Sequence, residues 1–307
     1  MILCCGESLI DMLPRKTEAG EDAFAPYPGG AVFNTAIALG RLGSKTGFFS
    51  GISDDLFGQI LMDALRASNV DTSLAERSDR PTTLAFVRLI EGQASYAFYD
   101  EQTAGRMLDA ARLPAVTDET KALFFGGISL VAEPAAIAYE TLMLREAPAR
   151  VCMIDPNIRP GFIRDEPRYR ARVTGMIEQA DIIKVSDEDM EWLYGAGSAQ
   201  DHAAQMLSGN TKLVCVTEGA KGVTGYTRKG QVFAPAHKAR VVDTVGAGDT
   251  FNAGLLHGLE QRGCLNKGAL QAMGDDDLMF ALDMGARAAS VTVARAGANP
   301  PWHHELP

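Results

Sequence analysis

Positive charge is in short supply in this 307-residue chain: 29 lysines and arginines face 39 aspartates and glutamates, for a formal net charge of −10. That deficit argues against non-specific binding to nucleic acid or to an anionic membrane, which need a basic patch. Small anionic ligands stay open, because one loop can bind phosphate inside an acidic protein. Long apolar runs are also missing, and none approaches the length that crosses a bilayer. The N-terminal MILCCGESLIDML has neither the basic start nor the small-residue cleavage site of a secretory signal. A soluble, cytoplasmic protein is the expectation. The five cysteines include no CxxC pair or Cys/His cluster with metal-ligand spacing, and His303-His304 reads as a solvated tail. Cys4, Cys152 and Cys215 lie in strand-like apolar runs and read as buried free thiols in a reducing compartment. Two nucleotide motifs are absent as well. No GxGxxG follows the first strand, where the chain reads CCGESLID, and no GxxxxGK[ST] occurs anywhere.

What is present is an ordinary globular composition, 46% hydrophobic and 22% charged, with apolar material enough for a sizeable core. Short apolar runs such as ILCC, ALFF, VCMID, DIIKV and LVCVT alternate with amphipathic stretches such as AVFNTAIALGRLG and RYRARVTGMIEQA. That rhythm predicts a parallel sheet with helices on both faces. Two segments break it. TLAFVRLIEGQASYAFYDE alternates in period two about Glu91-Gly92 and reads as a β-hairpin, and Met12–Tyr27 fits no helix-strand unit. Together they predict a small β insertion over one edge of the sheet.

Ligands in such sheets sit at the C-terminal ends of the strands, and several strand ends here carry polar or glycine residues. Asp11 closes GESLID and reads either as a cap or as an acceptor for ligand hydroxyls. In PGGAVFN, Gly29 and Gly30 allow close backbone approach, with Asn34 one helical turn further on. IDPNIRPGF crowds Asp155, Asn157 and Arg159 at one strand end, as a phosphate contact or as a mutual surface pair. KVSDEDMEWL offers Ser186 as a helix cap, with Asp187, Glu188 and Asp189 at the positive helix end. Thr217, Gly219 and Gly222 follow another strand. The sharpest element is DTVGAGDTF: Gly246, Ala247 and Gly248 let amides converge on an anion at a helix start. A carboxylate inside that nest, Asp249, would repel phosphate unless it takes a proton from an attacking hydroxyl.

DTVGAGDTF and PGGAVFNTAIALGRLG together resemble the two signature motifs of the ribokinase-like (PfkB-type) carbohydrate kinases. The resemblance extends over essentially the whole chain and is strongest to the bacterial fructokinase branch. It implies an α/β fold: a ribokinase-like three-layer α/β/α core with a mainly parallel sheet, plus a small β-sheet lid. Residues 1–307 would form one catalytic domain, with the lid at about 12–30 and 81–104. The implied reaction is ATP-dependent phosphorylation of a sugar primary hydroxyl, D-fructose giving fructose 6-phosphate. Within the family the rivals are 2-keto-3-deoxygluconate and ribose; outside it, a non-catalytic sugar- or nucleotide-binding protein. By the resemblance Asp249 is the catalytic base, and Gly246, Ala247 and Gly248 form the anion hole. Asp11, Gly29, Gly30, Asn34, Tyr96, Phe98 and Arg159 contact sugar, while Lys184, Thr217, Gly219, Gly222 and Asn252 contact ATP. The family's NxxE motif, associated with Mg2+, becomes SxxD at Ser186–Asp189, so Asp189 or Glu188 would reach the metal through water. A monovalent cation such as K+ would sit near Asp243 and the backbone of Val245. A homodimer through the lid is also implied.

Overall fold

The computed structural model describes the backbone of residues 1–90 and 93–307 and the side chains of all but residues 88–96. The turn Glu91-Gly92 and the side chain of Tyr96, both singled out above, lie outside the described residues. The first part of the chain forms β1 (Ile2–Cys5), β2 (Leu9–Lys16), β3 (Asp22–Gly29), α1 (Ala31–Leu42), β4 (Thr46–Phe49), β5 (Gly51–Ser53) and α2 (Leu56–Ala67). There follow β6 (Val70–Asp71), β7 (Glu76–Ser78), β8 (Leu84–Ile90), β9 (Gln93–Tyr99), β10 (Ala122–Gly126), α3 (Ala135–Glu146), β11 (Val151–Asp155) and α4 (Glu166–Gln179). The remainder comprises β12 (Ile182–Ser186), α5 (Asp187–Tyr194), α6 (Ala199–Leu207), β13 (Leu213–Thr217), β14 (Gly222–Thr227) and β15 (Gly230–Pro235). The chain then closes with α7 (Ala247–Gln261), α8 (Lys267–Ala272) and α9 (Asp275–Val293).

Seven strands run parallel in the order β13-β12-β11-β10-β1-β4-β6, and β14 and β15 extend the sheet as an antiparallel hairpin beyond β13. The strand interiors are buried on both faces, which is why they read as unbroken apolar runs. In β1 the alternation is explicit. Ile2 and Cys4 join the core with α1, α7 and α9, whereas Leu3 and Cys5 join the core with α3, α4 and α6. All five cysteines are free and buried, Cys4, Cys152 and Cys215 within the apolar strands as expected. No helix among the described residues is long and apolar enough to cross a membrane.

A separate four-stranded sheet, β3-β2-β8-β9, is built from the two segments that break the strand-helix rhythm. Its first strand opens at Leu9, so Asp11 lies within β2 rather than in the loop after β1. Cross-strand register puts Tyr27, Asp11, Ala85 and Phe98 in one row across this sheet. Residues paired this way share a face, so Asp11 and Phe98 project to the same side. The opposite side carries an edge-to-face chain of Phe24, Phe86 and Tyr99, with ring centroids 5.1 and 5.5 Å apart.

The central helix of the core is α7, buried along its length from Asp249 to Leu259. It crosses α9 through small residues. A side-chain carbon on Gly254 would lie 2.7 Å from Gly285 Cα, and one on Gly258 would lie 2.8 Å from Ala281 Cα. At its N-terminal end Thr292 Oγ1 donates to Thr250 Oγ1 at 2.9 Å. We expect Gly254→Val to lower stability by about 2 kcal/mol or more through overpacking of this crossing. The shift of the urea unfolding midpoint measures it, and an unchanged midpoint would contradict the close crossing.

Candidate active site

The N-terminus of α7 opens at the C-terminal edge of the parallel sheet. Its cap, Gly246, has φ 78° in the left-handed region, and a side-chain carbon there would come within 2.7 Å of Ala298 Cβ. Both facts select glycine. Asp243 holds the preceding loop by accepting from Val245 N at 3.0 Å and from Gly297 N at 2.9 Å. The side chain expected to face a monovalent cation thus ties two backbone segments together directly, and Val245 itself is exposed. The first helical backbone bond runs from Thr250 N to Gly246 O, 2.9 Å, while Ala247 N donates to Thr244 O at 3.3 Å. Helix geometry leaves the amides of Gly248 and Asp249 without an intrahelical acceptor, at the positive end of the helix dipole. The expected Gly-Ala-Gly nest is therefore corrected in detail, since the Ala247 amide is already used inside the turn.

Asp249 is the third residue of that helix and only 8% exposed. Its Oδ2 accepts from Asn34 Nδ2 at 2.9 Å, and its backbone oxygen accepts from Thr35 Oγ1 at 3.1 Å. Both partners lie in the first turns of α1, so the two glycine-led helix starts recognised in the sequence meet here. Burial pushes the Asp249 carboxyl up to about 7; the Asp155 and Glu7 carboxylates push the same way, and the Asn34 bond and Lys184 oppose them.

Beneath it lies a buried polar network. Lys184 Nζ donates to Asp155 Oδ2 at 3.1 Å, and Asn252 Nδ2, one turn along α7, donates to the same oxygen at 2.7 Å. Burial pulls the Lys184 ammonium down, but Asp155, Asp189 and Asp249 outweigh it and the net shift is upward, so it stays charged. A side-chain carbon on Gly248 would lie 3.4 Å from Lys184 Nζ, which places this cation against the free amides. Asn252 Oδ1 is buried without a donor.

The double glycine before α1 has two separate causes. A side-chain carbon on Gly29 would fall 2.3 Å from Asp11 Oδ2, so its absence admits that carboxylate. Gly30 has φ 113°, and a side-chain carbon there would meet Glu7 O at 2.9 Å. Asp11 is raised to about 6 by burial. Glu7, which the sequence reading does not single out, accepts from Ala31 N at 2.8 Å and from Ser129 N at 3.1 Å. It thereby occupies the start of α1. Asp155, which the sequence offers as a partner for Arg159, is instead the hub of the Lys184–Asn252 network at the buried end of β11.

Other expected contacts are placed differently. Asp189 Oδ1 accepts from Ile158 N at 2.8 Å and its Oδ2 from Ser186 N at 3.2 Å, completing a capping box with Ser186. Glu188 is exposed. The shorter SxxD carboxylate thus serves the backbone, and no group of three or more His, Cys, Asp or Glu able to hold a metal occurs among the described residues. These side chains do not fit a protein-held Mg2+. Arg159 is exposed and donates to Ile158 O at 3.0 Å. Thr217 ends β13, and Gly219 follows it with φ 54° and open space around it. Gly222 is set by the hairpin, because a side-chain carbon there would lie 2.3 Å from Ala234 O. Phe98 packs edge-on against Phe162 with centroids 4.6 Å apart.

A family model described as pfkB family carbohydrate kinase matches residues 1–305. A fructokinase of Rhizobium leguminosarum bv. trifolii is 54% identical over 278 residues, spanning 91% of this chain and 85% of that protein. Fructokinase-1 of Zea mays is 35% identical over 311 residues, spanning 98% of this chain and 94% of its own length. Among solved structures, a fructokinase with bound ATP from Xylella fastidiosa matches with a TM-score of 0.88 at 28% identity, covering 100% of this chain and 94% of that one. The chain belongs to the pfkB family of carbohydrate kinases, and the ribokinase-like fold expected from its motifs is the one observed.

A carboxylate whose charged form is disfavoured by burial costs stability once it ionises. Relative to an unfolded value of 3.8, the raised value of Asp249 means that native stability is lost as pH rises toward about 7. Asp249→Asn should therefore leave Tm unchanged near pH 4 and raise it progressively up to pH 8. A Tm difference that is flat across this range would contradict the shift.

Proposed function

We propose that this pfkB-family carbohydrate kinase transfers the γ-phosphoryl group of ATP to the primary hydroxyl of D-fructose, giving fructose 6-phosphate, with Asp249 as general base. The reading rests on one observation above others: a buried carboxylate, tuned to about 7 and held by Asn34, beside two unpaired amides at a helix start. The hydroxyl proton passes to the Asp249 carboxylate as the sugar oxygen bonds to phosphorus, and the bond to the bridging oxygen of ADP breaks. Charge that grows on the transferred group meets the amides of Gly248 and Asp249 and the ammonium of Lys184. Base and charge stabiliser are thus supplied within one helical turn.

Asp11, with a value of about 6, is ionised at neutral pH and accepts hydrogen bonds from the other sugar hydroxyls, alongside the backbone at Gly30. Phe98, in the same row, covers the sugar, and Arg159 completes this side. The second sheet acts as a lid that excludes water and so protects ATP from hydrolysis. ATP lies along the strand ends past Thr217 and Gly219, toward Asn252 Oδ1. Mg2+, were the nucleotide to carry it, would supply positive charge at the phosphates, while Asp189 stays bonded to the backbone of Ile158 and Ser186. The chain acts in the cytoplasm, where buried free thiols persist.

The high identity to a bacterial fructokinase favours fructose over 2-keto-3-deoxygluconate and ribose, and an ADP-coupled assay across the three sugars tests that ranking. Turnover should rise with pH about a midpoint near 7, because the base must be unprotonated. Asn34→Ala removes a bond that favours the charged carboxylate, so it should move that midpoint upward. Asp249→Asn should lose on the order of a hundredfold or more in kcat while retaining sugar binding. Full turnover in that variant would eliminate Asp249 as the base.

The apolar chain Phe24–Phe86–Tyr99 lies on the lid face opposite Asp11, with Phe24 44% and Tyr99 62% exposed. We assign the homodimer contact to this face. Phe24→Lys with Tyr99→Glu should sediment as a monomer, whereas wild type sediments as a dimer; equal sedimentation would remove the assignment.

A further inference from the structure

Glu7 follows β1 and joins two segments that lie far apart in sequence. Its Oε1 accepts from Ala31 N at 2.8 Å, at the first position of α1, and its Oε2 accepts from Ser129 N at 3.1 Å, in the turn after β10. That turn is shaped around the carboxylate. Gly127 has φ 67°, and a side-chain carbon there would lie 2.3 Å from Glu7 Oε1. The turn is also pinned to the sheet, since a side-chain carbon on Gly126 would lie 2.1 Å from Asp155 O, and Ser129 Oγ donates to Gly126 O. The backbone that carries Glu7 is fixed as well. Gly6 O accepts from Tyr139 OH at 3.0 Å, and a side-chain carbon on Gly6 would meet Val32 Cγ2 at 2.5 Å.

These contacts make a brace between the strand ends and the start of α1. An acid that satisfies a free amide at a helix start is common, but here it comes from another element, and the turn it holds carries a side chain of the site. Asn34 N donates to Gly30 O at 2.8 Å, closing the first turn of α1, and Asn34 Nδ2 donates to Asp249 Oδ2. Thr35 Oγ1 lies 3.0 Å from Ala31 O and 3.1 Å from Asp249 O, a second link between that turn and the base. We propose that Glu7 is a positioning residue for phosphoryl transfer, which fixes the first turn of α1 so that Asn34 keeps its bond to the Asp249 carboxylate. The inference rests on the reading of Asp249 as the base.

The ionisation of Asp249 reports on this brace. Burial raises its carboxyl; Asn34 on α1 and Lys184 on β12 hold it down, while Asp155 on β11 and Glu7 add to the rise. The charge of Glu7 and its brace therefore act in opposite directions. Glu7→Asp separates them, because it keeps the charge but is one methylene too short to reach both amides. Ala31→Pro breaks the brace from the other side. It removes the amide that donates to Oε1 at a helix position where proline is favoured. Gly30 precedes it with ψ 137°, outside the helical range that a following proline disfavours.

Carbon-13 NMR of protein labelled at its aspartate carboxyls, with Asp249→Asn identifying the resonance, follows this ionisation without sugar or nucleotide. The midpoint should rise by about half a pH unit in Glu7→Asp and in Ala31→Pro, as expected when a hydrogen bond to a charged group is partly lost. The pH midpoint of turnover should rise with it. In an Asn34→Ala background neither substitution should move the midpoint further, because the bond they act through is gone. A midpoint that stays in place while Tm falls, one that moves downward, or a shift that persists undiminished without Asn34 would each overturn the proposal. The NMR midpoint needs no catalysis, so failure of the base assignment, read from turnover of Asp249→Asn, is told apart from failure of the brace.

Discussion

A carboxylate held out of water at the positive end of a buried helix is the constraint on which the site depends. Asn34 supplies Asp249 with a hydrogen bond from another helix start, 215 residues away in sequence. The bond and the nearby Lys184 partly offset burial, and the carboxyl lies at about 7. The helix itself is fixed by close small-residue packing against α9 and by threonine hydroxyls at its N-terminal turn. Movement of α7 relative to α1 would therefore change the chemistry of the site before it changed the fold.

The Asp155–Lys184–Asn252 network has a different character. It places a cation near the same helix end without exposing it to solvent, and two hydrogen bonds converge on one Asp155 oxygen. A buried ion pair of this kind is weak evidence for stability, since desolvation can exceed the attraction between the charges. Its ammonium lies beside Gly248, at the positive end of the same helix.

The parallel core was legible in the sequence because each strand is apolar on both faces and each helix on one, so local pattern and global layer agree. The second sheet was legible as the place where that rhythm fails, although its first strand begins at Leu9, three residues earlier than the pattern suggests. What could not be read were the long-range pairings. Nothing local announces that Asp155 meets Lys184, or that Glu7 reaches both Ala31 and Ser129. Asp189 shows the opposite difficulty. A capping box and a metal-associated acid look alike in sequence, and only the backbone amide of Ile158 separates them.

Glu7 has a consequence for ligand placement. The starts of α1 and α7 are joined through Asn34 and Asp249, and the amides at either start attract anions. At α1 the chain supplies its own anion, Glu7, which lies 24 residues back in sequence and is bonded to Ala31 N. A free phosphate competing there would face a covalently linked rival, whose effective concentration far exceeds that of a dissolved anion. At α7, among the described residues, no side chain is bonded to the amides of Gly248 and Asp249, so self-occupancy closes one of the two helix starts to an anion and leaves the other open.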